Sequence, residues 1–200
     1  MDVAEIRPGL WRWTAAHPKW RRGMAWPRDV GCVYAELPGS IVLVDPLVPA
    51  DDAEAARFWR ALDRDRAQLA HRPVHVLLTA AWHRRSADAV AERYGAAVRL
   101  PGDAPPAGVE AELYEDGEWR EAVLVLPAYE AVVFGDVIEG NGRGGLRMPP
   151  EWWPRDEPRT VRVRRELQRL VRRPIETVLV SHGEPVLANG RAALAQALAS

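Results

Sequence analysis

Short runs of strand-forming residues alternate with turn formers over the first 45 positions of the chain. Residues 30–37 and 41–45 are apolar and β-branched on either side of the turn Pro38-Gly39-Ser40, and a similar pair of runs flanks Pro8-Gly9. Residues 17–28 instead mix two prolines, one glycine and two tryptophans without a helical or strand period. The amino-terminal part therefore predicts two β-hairpins joined by an irregular loop.

A helical period replaces the alternation after residue 50. Apolar side chains recur at helical spacing from residue 51 to residue 70, and Asp51 with Glu54 three positions later forms a capping box. Ser86 is placed to cap a second helix that ends before Gly95. The elements predicted in this stretch are a helix over 51–70, a buried strand over 74–79, a helix that follows residue 86, and a strand over 96–100.

The second half repeats the same kinds of pattern, with turns at Asp116-Gly117 and Pro127-Ala128. Its predicted elements are strands over 109–114, 121–126 and 131–134, a long loop over 139–159, a helix over 160–173, a strand over 175–180 and a helix over 190–199. This order favours two layers of sheet with helices outside them. The length of 200 residues, 48% of them hydrophobic, fits one domain over 1–200.

Charge and cysteine usage narrow the class of protein. Lys and Arg number 27 against 28 Asp and Glu, so the net charge of -1 gives no reason to expect nucleic acid or an anionic membrane as partner. A single cysteine, Cys32, excludes an internal disulfide framework and a thiolate metal site. The first residues lack a signal-peptide pattern, and no apolar run approaches about 20 residues. We therefore expect a cytoplasmic protein that does not span a membrane.

Polar side chains follow three of the predicted strands. His83 lies in the basic loop after the strand over 74–79, Asp136 follows Gly135 at the end of another, and His182 follows the strand over 175–180. Taken singly, each could be an ordinary turn or strand-end residue. Because sites in layered α/β folds lie beyond the carboxyl ends of strands, we expect these three to converge as candidate catalytic residues.

These segments, in this order, resemble the metallo-β-lactamase fold hydrolases, particularly the short bacterial members. Residues 42–46 resemble the early strand with its acidic end, residues 76–79 the strand before the H-x-H-x-D-H loop, residues 133–136 the strand that presents the metal-bridging aspartate, and residues 179–185 the strand that presents the last histidine ligand. The resemblance runs over most of the chain. It implies a four-layer αββα sandwich, a zinc site and hydrolase activity.

The metal motif departs from the family pattern. With Thr79 aligned, the four liganding positions of the loop hold Ala80, Trp82, Arg84 and Arg85, none of which is a zinc ligand. A register shifted by one residue puts His83 at the second position and leaves Ala81, Arg85 and Ser86 at the others, so at most one ligand of the loop survives. The segment expected to hold the middle histidine, residues 116–121, contains no histidine. Asp136 and His182 remain as metal ligands if a metal is bound. Two ligands hold zinc weakly unless neighbours are recruited, and those in reach are His83, Asp45 and Glu118.

Arginines at ligand positions change the electrostatics of the expected site. A guanidinium repels a divalent cation and cannot lose its proton to become a ligand. We hypothesise that Arg84 or Arg85 takes the metal's electrostatic role by pairing with Asp136. The sequence then favours a pocket without a cofactor, or with a weakly held metal, that binds a small anionic molecule through these arginines.

Two other functions stay open at this point. One is an active hydrolase of an ester or thioester-type bond, which uses either zinc or another divalent metal in a non-standard site, or a histidine as general base. The other is an oligomeric interaction protein, such as a homodimer, with a vestigial site. Whether the protein is an enzyme does not follow from the sequence.

Nine tryptophans supply candidate pocket walls. Those in or beside predicted elements are expected to pack in the core or cover a sheet: Trp11, Trp13, Trp59 and Trp119. Those in loops are expected to wall the pocket and contact its ligand: Trp20, Trp26, Trp82, Trp152 and Trp153. So much aromatic loop surface is equally consistent with a subunit interface.

Overall fold

The computed structural model describes residues 1–117 and 119–199, so Glu118, a candidate for recruitment, lies outside the described residues. The strands are β1 (Asp2–Arg7), β2 (Leu10–Ala16), β3 (Asp29–Leu37), β4 (Ser40–Val44), β5 (Val74–Leu77), β6 (Ala97–Arg99), β7 (Glu110–Asp116), β8 (Trp119–Leu126), β9 (Ala131–Phe134), β10 (Glu139–Gly140), β11 (Leu146–Arg147) and β12 (Thr177–Val180). The α-helices are α1 (Asp52–Gln68), α2 (Ala87–Tyr94), α3 (Pro158–Leu167) and α4 (Gly190–Ala199).

The strands form two main sheets. The first has six strands in the order β1-β2-β3-β4-β5-β6, in which β1 to β4 are antiparallel and β4, β5 and β6 run parallel. The second has four strands in the order β12-β9-β8-β7, with β12 and β9 parallel. The small ribbon of β10 and β11 lies within the predicted 139–159 loop.

Successive side chains along each strand point to opposite faces of the sheet, and together they form three apolar layers. On β3, Val33 packs between the two sheets, whereas Tyr34 packs in the layer that contains Phe58 of α1. On the second sheet, Val133 belongs to the layer between the sheets and Phe134 to the layer that contains α3 and α4. Helices therefore cover the outer face of each sheet, and the expected αββα sandwich is confirmed.

The helix boundaries follow local chemistry, with two corrections. The Asp51 side chain accepts a hydrogen bond from the backbone N–H of Glu54 at 2.9 Å, and α2 ends at Gly95 in a left-handed conformation. Ser86 occupies the N-cap position of α2 as predicted, but its hydroxyl makes no capping hydrogen bond, because it accepts from the Val48 N–H at 3.0 Å instead. The predicted 160–173 helix is shorter, since α3 ends at Leu167 and a 3-10 turn follows. Among the described helices, none is long and apolar enough to cross a bilayer.

Candidate metal centre

The carboxyl ends of four strands meet at one edge of the sandwich. Because β9 and β12 are parallel neighbours, with Phe134 opposite Val180, the residues two positions beyond each strand lie side by side, and these are Asp136 and His182. On the other sheet, the parallel pair β4 and β5 brings Asp45 next to Thr79 in the same way. Backbone hydrogen bonds tie the two edges together, from Ala122 N–H to the Thr79 carbonyl and from Gly31 N–H to the Ser181 carbonyl, each at 2.7 Å.

Three candidate side chains converge at this edge. His83 lies in the 3-10 turn Ala81–Arg84, and its Nε2 atom is 3.2 Å from Asp136 Oδ1. His182 Nε2 is 2.9 Å from the same oxygen. The ligand atoms of the three residues all lie within 4.8 Å of one another. The structure thus brings together the three residues that the strand ends single out.

The donor set fits a divalent metal ion. Asp136 Oδ1 is buried, and although both imidazole nitrogens lie close to it, neither makes an aligned hydrogen bond with it. Two imidazole nitrogens and one carboxylate oxygen are a ligand set that zinc and other divalent transition metals accept. His83 therefore joins the two ligands expected from the sequence, and the geometry gives no support to the expectation that no cofactor binds.

A buried carboxylate orients His83. The Nδ1 atom of His83 is 2.9 Å from Asp45 Oδ2 and 2.9 Å from the Thr79 hydroxyl. Asp45 also accepts a hydrogen bond from the Thr79 backbone N–H at 2.8 Å and adopts a positive φ of 48°, which few residues other than glycine take up. A carboxylate on the second nitrogen of a ligating histidine fixes the ring and its tautomer, so that once His83 is neutral its Nε2 lone pair faces Asp136.

The charges in the cluster depend on one another. Burial alone would lower the pKa of His83, but the flanking carboxylates of Asp136 and Asp45 raise that pKa to about 9. Burial alone would raise the pKa of Asp136, but His83 and His182 hold it well below its ordinary value. Without a metal, the His83 imidazolium offsets part of the negative charge of Asp136 and Asp45; with a metal, His83 must lose its proton.

This cluster makes the stability of the metal-free protein depend on pH. His83 has a pKa of about 9 in the folded state against an ordinary 6.5, so its contribution is fully present below pH 6.5 and is lost as pH rises through 9. We expect the free energy of unfolding of chelator-treated protein to fall by about 3 kcal/mol across this range. Urea unfolding at several pH values measures it.

The matched variant for this prediction is His83→Gln, which cannot titrate. Burial and the Asp136 carboxylate raise the pKa of Glu121 to about 8, so Glu121 contributes a pH dependence of the same sign between 4.5 and 8. The difference between the slopes of the two proteins measures what His83 contributes, both directly and through its lowering of the pKa of Glu121. Equal slopes between pH 6.5 and 9 would contradict the predicted contribution of His83.

Glu121 supports the loop that carries Asp136, a role that sequence reasoning missed. Its buried carboxylate accepts backbone hydrogen bonds from Gly135 and Asp136 at 2.9 Å and from Val137 at 3.0 Å. It lies in the segment where the family resemblance places a middle histidine. A glutamate at the start of a strand has no local signal for such a role, because its partners come from residues 14 to 16 positions later in the chain.

Gly135 fits where no side chain can. A Cβ atom at this position would lie 2.6 Å from the Thr79 hydroxyl and 3.2 Å from Glu121 Cδ, both of which are held by hydrogen bonds in the cluster. We expect Gly135→Ala to lower the free energy of unfolding by about 1–3 kcal/mol through overpacking. Gly39→Ala is the control, because nothing lies within 4 Å of its Cβ position. Equal urea midpoints for the two variants would contradict this packing.

The hypothesis that an arginine pairs with Asp136 is wrong. Arg84 is exposed and pairs with Asp88 at 2.7 Å on the surface, outside the pocket. Arg85 lines the pocket but donates to the carbonyls of Gly31 and Asp45, each at 3.0 Å. In the part of the chain that the structure describes, neither arginine forms an ion pair with Asp136, and the side chains close to its Oδ1 atom are those of the two histidines.

A pocket of about 580 Å³ opens above the three donor atoms. The indole rings that line it are those of Trp26, Trp82, Trp119 and Trp152. Trp26 packs on the His182 ring at 5.5 Å, and Trp82, Trp119 and Trp152 form a chain of ring contacts at 5.2 and 6.3 Å. The pocket therefore has an aromatic wall beside His182 and a second one beside Asp136.

Some predicted pocket residues lie elsewhere. Trp153 is buried at 2% exposure and packs against Trp119 in the core, so its prediction as a pocket wall is wrong. Trp20 is not on the described pocket lining either, and its indole N–H donates to the Trp26 carbonyl at 2.9 Å. Trp119 lines the pocket instead of only covering the sheet. His17 and Arg159 also line the pocket, and no spacing or period in the sequence pointed to them. That the exposed Trp152 forms a subunit interface stays a prediction.

Comparisons with known proteins agree with this architecture. No family model matches the chain, and no curated protein matches it. Solved structures match over nearly its whole length and show that it has the metallo-β-lactamase fold. An NDM/FIM-1-like metallo-β-lactamase from Erythrobacter litoralis in its mono-zinc form is 14% identical, with a TM-score of 0.65 over 99% of this chain and 94% of that one.

Two further structures show the same similarity. VMB-1 is 10% identical, with a TM-score of 0.61 over 99% of this chain and 94% of that one. FIM-1 from Pseudomonas aeruginosa, also in a mono-zinc form, is 15% identical, with a TM-score of 0.57 over 99% and 94%. At these identities the similarity establishes the fold, and the site has to be argued from the residues of this chain.

Proposed function

We propose that the protein is a hydrolase that uses one divalent metal ion, with zinc as the first candidate, held by His83 Nε2, Asp136 Oδ1 and His182 Nε2. The observation that carries this proposal is the convergence of these donor atoms within 4.8 Å around a buried carboxylate oxygen that lacks an aligned hydrogen bond. Three protein ligands with an open position are the pattern of catalytic zinc sites.

The chain's own residues would prepare the reaction. A bound metal would polarise a carbonyl oxygen and make a water molecule more acidic. Asp45 and Thr79 hold the His83 ring in one orientation, and Glu121 holds the loop that presents Asp136. The ring of Trp26 against His182 shields that histidine from water on one side. These supports keep the donor atoms in place before a substrate arrives, which lowers the cost of reorganisation.

The pocket walls favour a substrate with a flat apolar group beside an ester or thioester-type bond. Indole rings provide stacking surfaces on two sides of the donor atoms. Both arginines that line the pocket already donate to protein acceptors, Arg85 from both Nη groups and Arg159 from Nη2 to the Trp152 carbonyl at 3.0 Å. Only part of the Arg159 guanidinium therefore remains for a substrate anion. Aromatic contact therefore contributes more to recognition than charge does.

A panel of aryl and short alkyl esters and thioesters tests this function. Protein loaded with one equivalent of zinc is compared with protein treated with a chelator, under otherwise equal conditions. We expect hydrolysis that depends on zinc and a higher kcat/KM for the aryl substrates. Equal rates with and without zinc would contradict the proposed reaction, and equal rates for aryl and alkyl groups would contradict the assigned role of the tryptophans.

A metal-free pocket for a small anion is the second candidate, and one observation favours it. The His83 imidazolium, with its pKa raised to about 9 by Asp136 and Asp45 after the opposing effect of burial, offsets part of the charge of these acids without a metal. An anion would then contact His182 and Arg159 from the pocket side. Calorimetry with small carboxylates on chelator-treated protein tests it. Binding of a carboxylate by a chain that takes up no zinc would support this candidate against the first.

A further inference from the structure

The two oxygens of the Asp136 carboxylate face different partners. Oδ1 faces the Nε2 atoms of His83 and His182. Oδ2 accepts a hydrogen bond from the indole N–H of Trp82 at 2.7 Å. One oxygen of the carboxylate therefore faces the buried donor cluster, and the other faces an aromatic ring on the pocket side.

Trp82 is held so that its N–H points at this oxygen. It precedes His83 in the 3-10 turn, and its ring meets Trp119 edge to face at 5.2 Å and stands nearly perpendicular to the His83 ring, at 83°. The residue is 47% exposed, so it contributes little to the core. Its ring forms a pocket wall while its N–H contacts the carboxylate, and a substitution there should leave the fold intact.

We propose that Trp82 is a positioning residue that directs only Oδ1 of Asp136 to the metal and limits the site to a single ion. This inference rests on the metal centre of the proposed function. A carboxylate with both oxygens free can bind one ion with two oxygens or bridge two ions, whereas one that offers a single oxygen bridges two ions only where a second set of ligands lies beside it. Here the indole N–H occupies Oδ2, so the carboxylate offers one oxygen to the donor cluster.

The other acidic groups near the cluster are also occupied. Asp45 accepts hydrogen bonds from Thr79 and Ser181 and contacts His83, and Glu121 accepts three backbone hydrogen bonds. Within residues 1–117 and 119–199, the only group of three or more metal-type donor side chains is the one around Asp136. A second ion would find no comparable set of ligands in these ranges.

The test is a zinc titration by calorimetry on the full chain, together with the visible spectrum of cobalt-loaded protein, which reports coordination geometry. Trp82→Phe keeps the ring and removes the N–H. We expect one zinc ion per unmodified chain, and about tenfold weaker zinc binding with an altered cobalt spectrum in Trp82→Phe, because a partner that orients a metal ligand is lost. Trp152→Phe is the control: it is exposed to a similar degree, at 42%, and lies in the same pocket.

Each outcome of the zinc titration and the cobalt spectra either supports or overturns the positioning role of Trp82. The positioning role is supported if the zinc affinity and the cobalt spectrum change in Trp82→Phe but stay the same in Trp152→Phe. An unmodified chain that binds two zinc ions, or a Trp82→Phe variant that matches it in affinity and spectrum, would overturn the inference while leaving the metal centre in place. Absence of zinc and cobalt binding by the unmodified chain would overturn the metal centre and this inference together.

Discussion

Asp136→Ala is expected to lower the affinity for zinc by more than about 100-fold, because it removes the one carboxylate ligand and leaves two imidazoles. Asp136 Oδ1 is the atom that both histidines approach, at 3.2 and 2.9 Å, so among the described residues no other side chain replaces it without a rearrangement of the site. Calorimetric titration with zinc measures the change. If the proposed reaction is correct, hydrolysis falls with the metal.

Asp116→Ala is the matched control for this variant. Asp116 also lines the pocket, but its carboxylate pairs with Arg162 at 2.6 Å and takes no part in the donor cluster. Zinc affinity should be unchanged by this substitution. A similar loss of zinc binding in both variants would mean that the pocket holds the ion by its overall negative charge and not by the three donor atoms.

Asp45→Asn is expected to weaken both the fold and the metal site. Asp45 is buried, contacts His83, and accepts hydrogen bonds from the Thr79 and Ser181 hydroxyls. Burial alone would raise the pKa of Asp45, but His83 and Arg85 hold it below its ordinary value, so the carboxylate is charged in the native state. Loss of one partner from a buried charged cluster costs about 3–5 kcal/mol. We expect a loss of this size in urea unfolding of the metal-free protein.

The same variant should reduce zinc affinity by about 10–100-fold, the usual effect of losing the group that orients a ligating histidine. Asp51→Asn is the control, since it makes the same chemical change at the exposed start of α1, where asparagine caps as well as aspartate. Both measurements should be unchanged in that control. An Asp45→Asn variant with normal stability and zinc binding would contradict the orienting role of this carboxylate.

The fold could be predicted from the sequence largely because its elements are locally encoded. The hairpin around Pro38-Gly39 and the helix after Asp51 depend on turn residues, capping and periodicity within a few positions. Asp136 and His182 could be placed together for a related reason. Each lies two residues beyond an apolar strand, and parallel neighbouring strands end at the same edge.

The rest of the site depends on side-chain direction, which residue spacing does not determine. A match of the loop to the family motif by position alone puts arginines at ligand positions. In the structure, the 3-10 turn directs the His83 side chain inward and the Arg84 side chain outward to Asp88. Trp152 and Trp153 differ in the same way, since one lines the pocket and its neighbour is buried in the core. Such choices follow from tertiary packing.

The most direct test of the account is the number of zinc ions that each chain retains in native mass spectrometry after one equivalent of zinc is added. His83→Gln is the decisive variant, because His83 is the ligand that the structure adds to Asp136 and His182. His71→Gln is the control at an exposed position outside the pocket. We predict one ion in the unmodified chain and in His71→Gln, and none in His83→Gln. An unmodified chain without zinc, or equal retention in all three proteins, would contradict the account.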